Sequence, residues 1–170
     1  MGADKEDQYL THMLEAWKTS IEVQQHFNTL EMQIRNFAIT VLTAVLGAAA
    51  LSLGSEYRAR MWLGRFEVPL ASLIFFAGLV AWGAFYFMDR FWYHRLLRGA
   101  VSHAQAIEKA LEKDLPGIGL SSAIAQASPV GFGRKKRWAI HSSGRLDMFY
   151  GFIAGIVLVL LVASLFVRVE

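Results

Sequence analysis

Three apolar runs dominate the pattern of hydrophobic and polar positions along the chain. The longest, residues 68–88, has twenty-one residues without a charge, and residues 148–167 form another run of twenty. A helix of that length spans about 30 Å, the thickness of the hydrocarbon core of a bilayer. Residues 37–53 form a shorter run of seventeen, at the lower end of the spanning range. The pattern predicts an all-α integral membrane protein with three transmembrane helices.

Amphipathic helices are predicted before and between these spans. Apolar residues recur at threes and fours over residues 8–35, which is typical of a helix with a packing face. Because no proline or glycine interrupts this pattern before Gly47, one long helix is expected to run into the first span. A second amphipathic helix is expected to continue from the second span over residues 89–115. Pro116 and Gly117 should end it, and residues 117–129 leave room for at most a short helix.

The helix predicted over residues 89–115 has two distinct faces. Its apolar face is expected to comprise Leu96, Leu97, Ala100, Val101, Ala104, Ile107 and Leu111. Its opposite, solvated face is expected to comprise Glu108, Lys109, Glu112, Lys113 and Asp114.

The distribution of positive charge predicts the orientation of the chain. An arrangement with the N-terminus inside places thirteen of the seventeen Lys and Arg residues in the cytoplasm, whereas the reverse places four there. The positive-inside rule therefore favours a cytoplasmic N-terminus. The resulting segments are a cytoplasmic amphipathic helix (1–36), the first span (37–53), an external loop (54–67), the second span (68–88), a cytoplasmic helix with a basic loop (89–147), the third span (148–167) and a tail (168–170).

Composition and motifs give no indication of an enzyme or a cofactor. The chain has no cysteine, which excludes disulfides and thiolate metal sites, and none of its five histidines is paired with another at the i, i+4 spacing of a helical metal motif. Arg98 and His103 match the R-x4-H spacing of some helical ribonucleases, but no acidic or metal cluster accompanies them. No ionisable residue lies within any predicted span, which argues against a proton-coupled transporter or a voltage sensor.

The densest positive cluster is the strongest candidate for a ligand site. Its four adjacent cations could bind phosphates while flanking rings stack on bases, as in proteins that bind single-stranded nucleic acid or nucleotides. The same cluster lies about ten residues before the third span, where it could instead set topology and contact anionic lipid. Both interpretations stay open. The candidate residues are Arg134, Lys135, Lys136, Arg137, Trp138 and Phe132, with His94, Arg95 and Arg98 on the preceding helix.

Small and weakly polar residues share one face of the first span and another of the third. Asn36, Thr40, Thr43 and Gly47 follow one another at threes and fours, so they could line a pore or pack against another helix. Gly151 and Gly155 form a G-x-x-x-G pair, a common packing device. Since three spans enclose no channel alone, conduction would require a symmetric homo-oligomer, such as a tetramer.

Four phrases of the sequence carry a resemblance to a known family. They are IRNFAITVL, FWYHRLLRGAV, LPGIG, and RKKRW before the final span. With the size and layout of the chain, they resemble the small three-span membrane effectors of Hailong-type bacterial anti-phage defence. The resemblance implies an oligomeric, ion-channel-like effector in the bacterial inner membrane. Such an effector is held shut by a nucleic-acid oligomer from a partner nucleotidyltransferase and depolarises the infected cell when it opens. The alternative is a non-conducting membrane scaffold that docks a partner protein through its cytoplasmic helices.

Overall fold

The computed structural model describes residues 3–54, 60–63, 66–128, 130–132, 138–140 and 142–166. The described chain is mostly helical. Its helices are α1 (Ala3–Gly54), α2 (Leu70–Phe87), a π-helical segment (Met88–Tyr93), α3 (His94–Leu111), α4 (Leu120–Ala127) and α5 (Ser142–Leu165). Its strands are β1 (Arg60–Leu63), β2 (Phe66–Pro69), β3 (Val130–Phe132) and β4 (Trp138–Ile140).

Three helical stretches of the described chain are long and apolar enough to cross a membrane. They are Asp4–Gly54, Leu70–Leu111 and Ser143–Leu165, with mean hydropathies of 2.0, 1.9 and 2.5 in their most apolar windows. The prediction of three membrane-compatible helices is therefore confirmed, and the long uninterrupted helix expected at the N-terminus is α1.

Short antiparallel strand pairs supplement the predicted helices. Strands β1 and β2 pair with Arg60 opposite Pro69, and β3 and β4 pair with Phe132 opposite Trp138. The second span begins slightly later than predicted, since Pro69 has an extended ψ of 135° and precedes the first helical residue. Proline is tolerated there because a residue at the start of a helix has no partner within the helix for its N–H group, so the missing N–H costs nothing.

The connection from α3 to α4 follows the predicted breakers. Helix α3 ends at Leu111, and the turn that follows contains Pro116 and Gly117. Gly117 has a φ of +97°, a conformation that glycine adopts without the steric cost of a Cβ atom. The short helix expected between residues 117 and 129 is α4.

The chain forms two compact units. Unit 1 comprises residues 1–32 and 90–145, and unit 2 comprises residues 33–89 and 146–170. The predicted boundaries between cytoplasmic and membrane segments follow residues 36, 88 and 147, whereas the boundaries between the two units follow residues 32, 89 and 145. The side of the membrane on which unit 1 lies stays a prediction.

Unit 2 is a bundle of three helices, formed by the second part of α1 with α2 and α5. One group of buried residues in its core comprises Ala38, Trp82, Leu146 and Tyr150. A second group comprises Ala49, Ala71, Phe75 and Val157. Large apolar side chains also cover the outside of this unit, as with Leu51 at 78% and Phe152 at 72% exposure. Apolar side chains on both the inside and the outside are expected of a bundle surrounded by lipid.

Candidate functional site

A buried ion pair links two helices of unit 2. The Arg35 guanidinium donates from Nε to Asp89 Oδ2 at 2.8 Å and from Nη2 to Oδ1 at 3.2 Å. The Tyr150 hydroxyl donates to Oδ2 at 3.2 Å. Asp89 is completely buried, whereas a quarter of the Arg35 side chain is exposed. Because a two-point guanidinium–carboxylate contact fixes both distance and orientation, this pair constrains α1 against the segment that follows α2.

The carboxylate of this pair lies in the π-helical segment that follows α2. A π-helical turn is rare and is found frequently at functional sites. Asp89 is the first charged residue after the predicted second span, and the structure buries it completely. The predicted second span ends one residue before Asp89, and the predicted first span begins two residues after Arg35. Both residues therefore lie outside the spans, and the lengths of the spans gave no indication that they pair.

Aromatic residues surround the same end of the three-helix bundle. The Trp82 indole donates to the Tyr150 carbonyl at 3.0 Å, and the Tyr86 hydroxyl contacts Asp147 Oδ1 at 3.0 Å. The ring of Tyr150 lies 4.9 Å from that of Trp82 and 5.3 Å from that of Tyr86, measured between centroids. Apolar ring faces around a hydrogen-bonded carboxylate lower the local dielectric and strengthen its pairing.

Unit 1 has its own buried polar pair, between α1 and α3. His94 Nδ1 lies 3.2 Å from Glu31 Oε1, and both residues are buried. Within the described part of the chain, His94 Nε2 has no hydrogen-bond partner. His94 was predicted to belong to a ligand surface, but its burial against Glu31 leaves it unable to face a nucleotide in this conformation.

A second carboxylate in unit 1 connects three helices. Glu108 Oε1 accepts from the Ser121 N–H at 2.7 Å and from the Trp17 indole at 3.2 Å. Its Oε2 accepts from the N–H and the hydroxyl of Ser122 at 3.0 and 2.9 Å. Helix α4 begins after Gly119, which offers no side-chain cap, so Glu108 supplies the acceptors that the free N–H groups of α4 require.

These contacts correct the predicted solvated face of α3. Glu108 was assigned to that face, yet it is only 3% exposed. Burial raises the pKa of Glu108, but the hydrogen bonds from Ser121, Ser122 and Trp17 together outweigh that effect and hold the pKa below its ordinary value. Glu108 is therefore an anionic cap on α4.

The predicted basic surface is only partly described. Residues Arg134, Lys135, Lys136 and Arg137 lie outside the described residues. The backbones of Phe132 and Trp138 are opposite each other in the β3–β4 pair. On α3, Arg95 and Arg98 are exposed whereas His94 is buried.

The predicted pore-lining face of α1 is exposed in the subunit. Asn36, Thr40, Thr43 and Gly47 are all exposed. The hydroxyls of Thr40 and Thr43 donate to the carbonyls of Asn36 and Ile39, each at 2.9 Å. Each hydroxyl oxygen keeps lone pairs that can accept a further contact.

The glycines selected from the sequence do not pack inside the subunit. A Cβ atom added at Gly47, Gly151 or Gly155 would meet no described atom within 4 Å. The close approach is instead at Gly78, where an added Cβ would lie 2.6 Å from Val45 Cγ1. The spacing of the buried residues Ala71, Phe75, Gly78 and Trp82, at fours and threes, is the sequence feature that could have identified this face.

Neither a search of the described residues for metal ligands nor comparisons with known proteins add to this description of the site. The described residues include no group of three or more His, Asp or Glu side chains that could hold a metal ion. Comparisons with family models, with curated protein sequences and with solved structures found no match.

Proposed function

We propose that the protein is one subunit of an oligomeric, gated ion pore in a bacterial inner membrane, with a role as an anti-phage effector. In this proposal the pore is closed at rest, and its opening depolarises the infected cell and causes abortive infection. A nucleotide or a short single-stranded oligonucleotide, made by a partner nucleotidyltransferase, controls the gate. The resemblance of the sequence to Hailong-type effectors suggests this activity.

The filled core of unit 2 supports an assembly rather than a single-subunit channel. Trp82 and Tyr150 fill one end of the bundle and Phe75 and Val157 another. A passage for ions would therefore form between subunits, around a symmetry axis.

One observation carries the proposal: the exposed stripe of Asn36, Thr40, Thr43 and Gly47 on α1. Large side chains such as Phe37, at 65% exposure, lie next to this stripe, whereas the stripe itself carries only small or polar side chains. Repeated around an axis, that line would give a narrow pathway of hydroxyl and backbone oxygens. Oxygen-lined pathways of this kind replace part of the hydration shell of a cation.

The small residues of α5 offer a surface for assembly. Gly151 and Gly155 are exposed, with open space where a Cβ would lie. Glycines four residues apart let two helix backbones approach closely, and this contact compensates for the lack of a hydrophobic force between helices in lipid. In the proposed oligomer this face packs against a neighbouring subunit.

Liposomes containing the purified full-length protein test the proposal directly. Potassium efflux should be measured with and without a single-stranded oligonucleotide, which is the probe for the unidentified ligand. Replacing Thr43 by Leu should block the flux by filling the pathway, whereas Thr43→Lys should leak without a trigger and be toxic in cells. Val80→Leu is the matched control, because Val80 is 58% exposed on α2, outside both the proposed pathway and the Gly151/Gly155 face.

Two results would overturn the pore. The first is an absence of flux under every condition from protein that is folded and oligomeric in the same liposomes. The second is equal flux through the wild type, Thr43→Leu and Val80→Leu proteins.

The alternative is a non-conducting scaffold that docks a partner protein. The exposed Leu120 and Ile124 of α4, one helical turn apart, favour this role. A folded protein that never conducts, but that loses a co-purifying protein on Leu120→Ser and Ile124→Ser substitution, would support it.

A further inference from the structure

An exposed stripe at the start of α3 and in the π-helical segment before it combines aromatic, aliphatic and cationic side chains. Phe91, Trp92 and Leu96 are 49%, 59% and 43% exposed, and Arg95 and Arg98 are exposed beside them. Phe91 and Arg95, and Trp92 and Leu96, are four residues apart, and Arg95 and Arg98 are three apart, so the members of each pair are neighbours on the helix surface. Large apolar side chains exposed together on one side of a helix indicate a binding surface.

The part of the chain that contains this stripe has positively charged residues and no negatively charged ones. Residues 90–107 contain three arginines and no Asp or Glu. Within the described part of the chain, no carboxylate forms an ion pair with Arg95 or Arg98. Two guanidinium groups are therefore available for an anion, next to exposed rings.

The helix itself places this stripe close to a membrane surface. It continues without a break from Leu70 to Leu111. Along the chain, Phe91 follows the last residue of the charge-free span by three residues, and Arg98 follows it by ten. The headgroup layer of a bilayer extends about 5 to 8 Å from the hydrocarbon core. Because helical side chains lean toward the N-terminus of their helix, the arginine side chains extend back toward that layer.

We infer that this stripe binds the headgroup of an anionic phospholipid. Arg95 and Arg98 contact the phosphate, and Phe91 and Trp92, the aromatic residues nearest the span, lie among the headgroups. The short separation of the stripe from the charge-free span favours a lipid headgroup over a soluble nucleotide, because the span keeps the stripe near the membrane surface. The inference goes beyond the proposed pore and does not depend on conduction.

Binding of phosphatidylglycerol to the full-length protein in a non-ionic detergent tests the inference. Native mass spectrometry can count bound lipid against concentration, with phosphatidylcholine as the neutral probe. The double variant R95Q/R98Q should bind phosphatidylglycerol about thirtyfold more weakly, the effect expected of two cations near an anionic surface. Binding of phosphatidylcholine should be unchanged.

Two further variants separate charge from folding. K109Q/K113Q removes the same charge from exposed positions farther from the span and should retain the wild-type affinity. R95K/R98K keeps the positive charge and should retain most of the binding. Weaker binding in R95Q/R98Q that R95K/R98K restores supports the lipid site.

Several outcomes would overturn the inference. Equal phosphatidylglycerol affinity in R95Q/R98Q and wild type is one, and an equal loss in K109Q/K113Q is another. A third is a loss of binding to a twelve-nucleotide oligothymidylate in R95Q/R98Q while lipid binding is retained. That result would assign the stripe to a nucleic-acid ligand.

Discussion

Arg35 and Asp89 lie fifty-four residues apart in the sequence and form a two-point ion pair, with Nε 2.8 Å from Oδ2 and Nη2 3.2 Å from Oδ1. The two partners are not equally buried, since Asp89 is inaccessible to solvent and Arg35 keeps a quarter of its side chain exposed. Removal of one partner should therefore have a different cost from removal of the other.

Replacing the arginine of this pair should strongly destabilise the folded protein. Arg35→Gln leaves a buried carboxylate without its countercharge and should lower the free energy of unfolding by about 3 to 5 kcal/mol. Asp89→Asn should cost less, because the remaining guanidinium has access to solvent. The double variant should be more stable than the sum of the single effects predicts. Unfolding in mixed detergent micelles measures all three, with Lys109→Gln as the exposed control; additive effects would contradict the coupling.

The close contact between α1 and α2 gives a second prediction. An alanine at Gly78 would place its Cβ 2.6 Å from a methyl of Val45, whereas an alanine at Gly83 would meet no described atom within 4 Å. Both changes add one methyl group to the same helix, so their intrinsic helix propensities are matched. Gly78→Ala should therefore be less stable than Gly83→Ala by about 1 to 3 kcal/mol.

A compensating substitution tests whether the contact is the cause. Val45→Ala removes the methyl groups that the new Cβ would meet, so the Val45→Ala, Gly78→Ala protein should regain most of the lost stability. Thermal unfolding in detergent measures each variant. Equal stability of the two alanine variants would show that α1 and α2 do not approach as closely as described.

These two relationships show where the sequence is informative and where it is not. The lengths of charge-free runs predict the spans because a bilayer sets a minimum length for a helix that crosses it. Run length does not determine how a helix rotates about its own axis. The pairing of Arg35 with Asp89 and the contact of Gly78 with Val45 both depend on that rotation, so neither was predicted.

The assignment of Glu108 failed for a related reason. Helical periodicity places it beside Lys109 and Glu112, which is the usual pattern of a solvated face. Its burial depends on the eight-residue α4, whose position is determined by a turn with a positive φ at Gly117. Periodicity along one helix contains no information about a second helix that folds back onto it.

The capping carboxylate gives a pH-dependent prediction. Because the folded state holds the pKa of Glu108 below its ordinary value of 4.5, the unfolded state takes up a proton first as the pH falls. Its contribution to stability is therefore fully present above about pH 4.5 and is lost as the pH falls through the folded pKa. Glu108→Gln should remove this dependence and cost about 2 kcal/mol at pH 7, a value typical of hydrogen bonds to a charged group.

Unfolding measured between pH 7 and pH 3 tests this assignment. The difference in stability between wild type and Glu108→Gln should shrink as the pH falls. Glu112→Gln, at an exposed position one turn further along, should leave the pH profile of the wild type unchanged. A constant difference between wild type and Glu108→Gln across the range would show that the carboxylate makes no charge-dependent contribution.

The basic cluster gives the last prediction, because one pair of substitutions separates its two roles. Lys135 and Arg137 either bind the phosphates of a controlling ligand or hold their loop on the cytoplasmic side. Replacing both by Gln should weaken binding of a single-stranded oligonucleotide and reduce its salt dependence. Each lost phosphate contact should change the log–log slope by about 0.7. Insertion should stay normal, because eleven of the thirteen predicted cytoplasmic Lys and Arg residues remain.

Insertion can be measured in the same variant, since the natural sequence has no cysteine and a single introduced thiol reports one position. A cysteine at Ser55 should label from outside the cell in both the parent and the Lys135→Gln, Arg137→Gln protein. A cysteine at Lys113 should label only after the membrane is permeabilised. Lost oligonucleotide binding with this labelling pattern intact would support the ligand site. Reversed labelling with binding retained would mean that the two cations set topology alone, and the ligand would then have to bind elsewhere in the predicted cytoplasmic segments.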